Sequence, residues 1–297
     1  MPPRTRVVLV YRRTELTELI ERHATRGQAE FYLRSRGRSL EDVVLRHEAA
    51  VRARDAILTS LPSEWAVAEV EREDLVRFLP EPGDRVVVVG QDGLVANVAK
   101  YLSDQLVIGV DPTPGVNPGV LVRHRAADAV RILLAPERAH VAELTMAQAK
   151  FDDGQELTAL NEIYLGHASH QSARYELAAL GSGQIFRENQ SSSGLIAGTG
   201  TGATGWCASL AGDRGVRDLP GAGEPRLAWF VREAWPSPVT GRALTRGLLG
   251  PGEELAVTVQ SDSLVVFGDG MERDRLIALA GQEVRLGLAG RRLRLAL

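Results

Sequence analysis

Cysteine is almost absent from this chain of 297 residues, since Cys207 is its only cysteine. A single thiol excludes a disulfide framework and a cysteine-based zinc site within one chain. Sparse cysteine is also typical of proteins that work in a reducing compartment. The cysteine content therefore predicts a cytoplasmic protein.

The chain also lacks a strong net charge and a long apolar run. Its formal net charge of −3 argues against general electrostatic binding to nucleic acid or to an anionic membrane. No apolar run reaches the roughly 18 residues that a membrane span needs. The short run RVVLVY is followed by Glu15, Glu18 and Glu21, unlike a secretory leader, so it is predicted to be a strand. We expect neither nucleic acid nor membrane among the partners.

The composition is otherwise that of an ordinary globular protein, with 44% hydrophobic and 25% charged residues. At about 150 residues per domain, the length predicts two domains. The first third of the chain alternates apolar runs with helical patterns. Strands are predicted at RVVLVY, EWAVAEVE, DRVVVVG and LVIGV, and helices at residues 14–34, 39–60 and 94–102. Strands joined by helices through short connections predict a parallel sheet.

The pattern changes after about residue 123. One helical stretch, AADAVRILLAPE, is followed mainly by strand-like runs that Gly, Asp and Ser turns separate. We therefore predict an α/β plus β fold. A Rossmann-like α/β domain would occupy residues 1–123, and a β-rich, sandwich-like domain would occupy residues 124–297.

The predicted strand DRVVVVG runs into GQDG, residues 90–93. Gly90 and Gly93 would let the backbone turn tightly and expose amide groups at a helix N-terminus, where phosphate binds. Asp92 would repel phosphate, so it fits a group that accepts a proton from an attacking hydroxyl or holds Mg²⁺. A plain Asp-Gly turn explains the same residues. Asp111 and Asn117 offer polar side chains in the loop after the next strand.

Asn161 and Glu162 interrupt the apolar run ALNEIYLG. Neighbours on a strand point to opposite faces, so one of the two would point inward or into a cleft. Burying an uncompensated carboxylate or amide costs on the order of several kcal/mol. The pair is therefore expected at the end of the strand or with partners.

The stretch LIAGTGTGATGW contains GxGxxG between Gly200 and Gly205. A dinucleotide-binding fingerprint lies on the first βα turn of a βαβ unit, whereas this one lies in the β-rich half, so it gives little support to a dehydrogenase. A glycine-rich structural turn stays possible.

His167 and His170 have the spacing of a metal pair on a helix, but their surroundings predict loop or strand, which favours surface polar residues.

Taken in order, VVVVGQDG, LNE, SSSGLIAGTGTGATGW and FGDGMERD resemble the NAD kinase family, and especially its mitochondrial-type branch. The resemblance runs from about residue 85 to the last residue. It implies transfer of a phosphoryl group from ATP, with Mg²⁺, to the adenosine ribose 2′-hydroxyl of NAD. It also implies a homodimer or a larger homo-oligomer.

The resemblance assigns roles to residues that match the motifs of the family. Asp92 would lie at the acceptor hydroxyl, and the Asn161–Glu162 pair would contact NAD. The residues that would form the Asp92 turn or line the nucleotide pocket are Gly90, Gly93, Thr199, Gly200, Thr201, Gly202 and Thr204.

Some positions depart from the family pattern. Gln91 and Leu94 stand where the usual motif has glycine and threonine, Asp111 where asparagine is usual, and Ala203 where serine is common. These departures keep a different class of protein open, namely a catalytically weak NAD(P)-binding sensor or regulator. A kinase of another nucleoside or nucleotide, or of a lipid, is the remaining alternative.

Overall fold

A computed structural model describes residues 5–116, 119–181 and 184–297, with the side chains of residues 180, 181 and 184 excepted. The chain divides into two compact units. The first takes the chain up to Ala142 and also Arg294–Leu297, and the second is Glu143–Leu293. The first has a parallel sheet with helices and the second has antiparallel sheets, which confirms the predicted α/β plus β fold.

The sheet of the first unit has the strand order β2-β1-β3-β4, and its neighbouring strands are parallel. Its strands are β1 (Arg6–Tyr11), β2 (Ala66–Glu71), β3 (Arg85–Val89) and β4 (Leu106–Val110). The helices are α1 (Glu15–His23), α2 (Arg26–Arg34), α3 (Leu40–Thr59), α4 (Asp92–Ala99) and α5 (Ala126–Leu134). Helices α1 to α3 connect β1 with β2, and α4 connects β3 with β4, which is the predicted βαβ arrangement.

Apolar burial explains where the first unit ends. Val7, Leu9, Val87 and Ile108 of the strands form one core cluster with Leu133 of α5. Each such side chain stabilises the fold by about 1.5–3 kcal/mol through burial. Because α5 packs on this sheet, the division falls after Ala142, whereas the sequence pattern places it near residue 123.

Helix α3 begins where its sequence predicts. The side chain of Ser39 accepts a hydrogen bond from the backbone N–H of Glu41 over 3.0 Å, which satisfies a donor of the first turn. The helix has 20 residues and carries charged side chains along its length. Within the described ranges, no helix is both long enough and apolar enough to cross a membrane.

The second unit consists mainly of antiparallel strands. In chain order they are β5 (Val141–Phe151), β6 (Glu156–Ala159), β7 (Glu162–Gly166), β8 (Ala173–Gly181), β9 (Gln184–Ser192), β10 (Leu195–Gly198), β11 (Leu227–Val231), β12 (Arg246–Leu249), β13 (Glu254–Val259), β14 (Ser263–Gly268), β15 (Leu276–Leu279) and β16 (Glu283–Ala296). One sheet has the order β16-β13-β8-β9, and the other has the order β12-β11-β10-β7-β14-β15. Strand β5 pairs with β6 and β16.

The two sheets of the second unit enclose a shared apolar core. Ile163 and Leu195 from one sheet lie in the same buried cluster as Tyr175, Val257 and Leu286 from the other. This arrangement confirms the sandwich-like prediction. The runs EVRLGL and RRLRLAL form the single strand β16, and its residues Arg294 and Leu295 pair with β4 inside the first unit.

Candidate functional site

Asp92 is the first residue of α4, at the carboxyl end of β3, and its carboxylate binds a distant segment of the same unit. Its Oδ1 accepts hydrogen bonds from the backbone N–H groups of Leu121 and Val122, at 2.8 and 3.0 Å. Its Oδ2 accepts one from Val120 at 2.9 Å. A carboxylate offers about four acceptor positions, so these donors leave room for about one more. Asp92 therefore holds this loop in place and keeps little capacity for another donor.

The segment that Asp92 holds runs beside β4. The backbone N–H of His124 donates to the carbonyl of Gly109, and that of Asp111 donates to the carbonyl of His124. A Cβ on Gly109 would overlap the carbonyl of Leu121, so only glycine permits this approach. The Asp111 side chain accepts from the N–H of Thr113 over 2.8 Å, which forms a local turn. Asn117 lies outside the described residues.

Gly90 and Gly93, on either side of Asp92, differ in how much space a side chain would find there. A Cβ on Gly90 would lie 3.1 Å from the Leu94 side chain, which is a tight contact. Nothing described lies within 4 Å of a Cβ on Gly93, which is exposed in the first turn of α4. Gln91 precedes the helix and its side chain makes no capping hydrogen bond. The turn therefore leaves the backbone at Gly93 open to solvent, as a phosphate contact requires.

In the second unit, Asn161 and Glu162 lie at the start of β7, as the pattern of a strand-end pair predicts. Asp269, which follows β14, organises this end. Its Oδ1 accepts from the N–H of Asn161 at 2.6 Å, and its Oδ2 accepts from the N–H of Leu160 at 3.0 Å. Its own N–H donates to the carbonyl of Glu162 at 3.0 Å. Asp269 is thus a structural centre of the cluster that sequence reasoning missed.

The Glu162 carboxyl lies in an unusual electrostatic environment. Burial, together with the negative charge of Asp269, raises the pKa of Glu162 to about 7. Among the described residues, no ion pair is formed by Glu162. The single thiol lies nearby, and burial followed by the charge of Glu162 raises the pKa of Cys207 to about 12. Strongly shifted carboxyls are frequent where ligands bind, although structural clusters produce them too.

Thr199 ties the glycine-rich loop to the Asn161 segment. It is fully buried, and its Oγ1 donates to the carbonyl of Leu160 at 2.5 Å. The same oxygen accepts from the N–H groups of Thr201 and Gly202, at 3.1 and 3.3 Å. The backbone N–H of Thr199 donates to the carbonyl of Asn161 at 2.8 Å. This hydroxyl is therefore engaged in hydrogen bonds within the protein.

The first glycines of the loop allow chain segments to approach each other closely. A Cβ on Gly200 would overlap the backbone of Gly221, and a Cβ on Gly202 would overlap the backbone of Asn161. These glycines are thus explained by packing alone. A Cβ on Gly205, in contrast, would meet nothing nearer than the carbonyl of Gly202 at 3.7 Å.

The remaining threonines of the loop differ in exposure. Thr204 is exposed, and its Oγ1 donates to the carbonyl of Thr201 at 3.2 Å. The Oγ1 of Thr201 is buried and has no hydrogen-bond partner among the residues that the structure describes. A buried hydroxyl without a partner costs about 1–3 kcal/mol, so Thr201 is a candidate for a ligand contact.

Strand directions settle how GxGxxG is used. Strand β10, which precedes the motif, is antiparallel to both of its neighbours, β7 and β11. A dinucleotide-binding crossover needs parallel strands, so the motif is not a Rossmann fingerprint. A short helix, α6 (Trp206–Asp213), follows it, which sequence reasoning missed. The signal for α6 is the spacing of four residues between Trp206 and Leu210 and between Cys207 and Ala211. These side chains pack on the outer face of this sheet.

The histidine pair has ordinary surroundings. The Nδ1 of His167 accepts from the N–H of Ser169 over 3.1 Å, and His170 is exposed in the same turn. Within residues 5–116, 119–181 and 184–297, no three His, Cys, Asp or Glu side chains form a group that could hold a metal ion.

Comparison of the chain with models of known protein families and with curated proteins finds no match. The resemblance to NAD kinases therefore rests on the motifs.

Proposed function

We propose that the chain is a kinase of the NAD kinase type, which transfers a phosphoryl group from ATP to the adenosine ribose 2′-hydroxyl of NAD. The observation that carries the proposal is the hydrogen bond between two of its motifs. The N–H of Thr199 donates to the carbonyl of Asn161, so the Thr-Gly segment and the Asn-Glu pair form one cluster. At this cluster, the half-buried Glu162 carboxyl and the Thr201 hydroxyl, which has no partner among the described residues, supply polar groups for a nucleotide.

Asn161 and Glu162 would contact NAD in this proposal. An amide and a carboxyl can accept and donate hydrogen bonds with the hydroxyl and amino groups of an adenosine. Since the pKa of Glu162 is about 7, both its donating and its accepting form exist near neutral pH. Thr201 would add its hydroxyl, while Thr199, Gly200 and Gly202 would shape the loop and not touch the nucleotide.

Asp92 would orient the acceptor hydroxyl. Its carboxylate already accepts from the backbone of Val120, Leu121 and Val122, which leaves about one acceptor position for the 2′-hydroxyl of NAD. Phosphoryl transfer depends mainly on positioning and on stabilising charge, so orientation of the acceptor is a sufficient role. Gly90 and Gly93 would give phosphate oxygens access to backbone N–H groups at the start of α4.

Mg²⁺ would arrive bound to the phosphates of ATP, as it does in many phosphotransferases. The oxygens of Asp92 are engaged by N–H donors, so they do not fit a dedicated magnesium site. The other parts of the proposal are a homodimer or larger homo-oligomer, a cytoplasmic location, and no nucleic acid among the partners.

The occupied carboxylate of Asp92 favours a second candidate function. A protein that retains the nucleotide contacts while its aspartate serves the loop would bind NAD or NADP as a sensor or regulator, with little turnover. Gln91 and Leu94, which replace the glycine and threonine of the family motif, point the same way.

An acceptor panel separates these functions. The protein is incubated with Mg²⁺ and ATP labelled in the γ-phosphate, and with NAD, NADH, adenosine, other nucleosides or diacylglycerol vesicles as acceptor. Label transferred to NAD supports the proposal, and label transferred only to another acceptor replaces it with a different kinase. Tight NAD(P) binding by calorimetry without transfer from ATP or polyphosphate supports the sensor. Neither transfer nor binding rejects both.

A further inference from the structure

A cavity of about 210 Å³ lies at the carboxyl ends of three neighbouring strands in the first unit. Tyr11, Glu71 and Val89, the last residues of β1, β2 and β3, all line it. The chain leaves β1 toward β2 on one side, and β3 lies on the other side, so the strand order reverses here. Sheets of this kind bind their ligands in the crevice at such a reversal. Val89 is the last valine of the VVVVGQDG motif, but none of the residues that the resemblance assigns to NAD or ATP lines this cavity.

Three arginines and two threonines are among the residues that line the cavity. Arg12 and Arg13 follow β1, and Arg54 reaches the cavity from α3. Thr14 and Thr17, at the start of α1, add hydroxyl groups. Glu71 is the acidic side chain in the lining, and it is paired with Arg13 at 2.8 Å. The lining itself therefore has three arginines and one glutamate beside the N-terminus of a helix, and such a place can hold an anion.

Arg54 lies at the cavity with one face of its guanidinium on an aromatic ring. Its guanidinium lies over the Tyr11 ring, 3.6 Å from the ring centroid, which fixes the plane of the group. Its NH2 group donates to Glu69 at 2.9 Å. Its Nε is buried and, within the part of the chain that the structure describes, has no hydrogen-bond partner. The stacking on Tyr11 and the pair with Glu69 therefore leave part of the hydrogen-bonding capacity of the Arg54 guanidinium unused.

Other carboxylates near the arginines do not cancel this preference. Glu18 lies 3.5 Å from Arg12, and Glu21 lies 3.3 Å from Arg13, in pairs whose side chains are all more than 40% exposed. Exposed pairs of this kind contribute about 0–1 kcal/mol each, so the arginines can turn toward a bound anion at little cost. The guanidinium groups also retain N–H donors that these pairs do not use.

We propose that this cavity binds a phosphate group, either as the free ion or as the phosphate of a small phosphomonoester. Guanidinium groups match the oxygens of phosphate in geometry as well as in charge. The cavity is smaller than the roughly 300–1,000 Å³ of pockets that hold drug-sized ligands, so the part of a ligand that it holds has about the size of a phosphate group. The proposal does not depend on the kinase function, because it concerns binding alone.

Isothermal titration calorimetry tests the proposal in a buffer of low ionic strength that contains neither phosphate nor sulfate. The probes are inorganic phosphate and glycerol 3-phosphate, which distinguish a free ion from a monoester. We expect the wild-type chain to bind at least one of them. Arg54→Gln and Arg12→Gln should each weaken that binding about tenfold, because each loses a charge-assisted hydrogen bond.

The matched control is Arg52→Gln, an exposed arginine of the same helix that pairs with Glu48 and does not line the cavity. It should bind the probe as the wild type does. Arg12 is exposed, so its variant tests the cavity even where loss of Arg54 disturbs the fold, which thermal melting reveals. The absence of binding to either probe by the wild type would overturn the proposal, as would an equal loss in Arg52→Gln.

Discussion

The backbone N–H of Thr199 donates a hydrogen bond of 2.8 Å to the carbonyl oxygen of Asn161. The buried hydroxyl of Thr199 reinforces this link by donating to Leu160 and accepting from Thr201 and Gly202. Two motifs that are distant in the sequence thus meet in one rigid cluster.

Thr199→Val should destabilise the second unit. Valine keeps the shape of the side chain but leaves the carbonyl of Leu160 and the N–H groups of Thr201 and Gly202 without their partner. We expect a loss of about 1–3 kcal/mol in the free energy of unfolding, measured by urea denaturation. Thr204→Val, which removes an exposed hydroxyl with one hydrogen bond of 3.2 Å, is the control and should change it by less than about 0.5 kcal/mol. Equal losses in both variants would remove the special role of Thr199.

Gly200→Ala and Gly202→Ala should each destabilise the chain, since each new Cβ would overlap backbone that cannot move aside easily. We expect about 1–3 kcal/mol for each, by the same denaturation measurement. Gly212→Ala, inside the helix α6 that follows the loop, is the control, because nothing described lies within 4 Å of a Cβ there. A Gly212→Ala variant as unstable as the other two would contradict the packing explanation.

Glu162 should make stability depend on pH. Its pKa is raised to about 7 in the folded chain, against about 4.3 for an unperturbed glutamate. The folded chain therefore holds this proton more tightly, so its contribution to stability is fully present below about pH 4.3 and is lost as the pH rises to about 7. Glu162→Gln cannot ionise and lacks this pH dependence. As the pH rises across that range, the unfolding free energy of the wild type should therefore fall relative to that of the variant by on the order of 2 kcal/mol. A difference that is constant between pH 4 and 8, measured by urea denaturation at each pH, would show that the Glu162 pKa is not raised.

Loss of the Asp92 carboxylate should loosen the loop that it holds. In Asp92→Ala, the N–H groups of Val120, Leu121 and Val122 lose their acceptor, so hydrogen exchange of a peptide that covers these residues should become at least about tenfold faster. Exchange in α3, which does not contact Asp92, serves as the internal reference. Unchanged exchange at residues 120–122 would show that Asp92 does not organise this loop.

The sequence predicted much of the fold because its strands are continuous apolar runs. The valines of residues 86–89 read as a buried strand, and Ser39 marks the start of α3. The long-range partners of the site were not predictable. The Asp92 carboxylate accepts hydrogen bonds from backbone N–H groups 28 or more residues away, and Asp269 accepts one from Asn161, 108 residues away. The local sequence contains no signal for such pairs. The sequence around Asp269 is typical of a turn, and its left-handed φ of 55° agrees with that prediction. The role of its side chain, in contrast, depends on the completed fold.

Identification of the product is the most direct test of the proposed kinase function. The purified chain is incubated with NAD, ATP and Mg²⁺, and NADP is measured with a dehydrogenase that is specific for NADP. We expect NADP formation that falls about a hundredfold or more in Asp92→Asn, since the acceptor hydroxyl is no longer oriented. It should be unchanged in Asp55→Asn, an exposed aspartate of α3. No NADP from the wild-type chain, or equal rates in both variants, would contradict it.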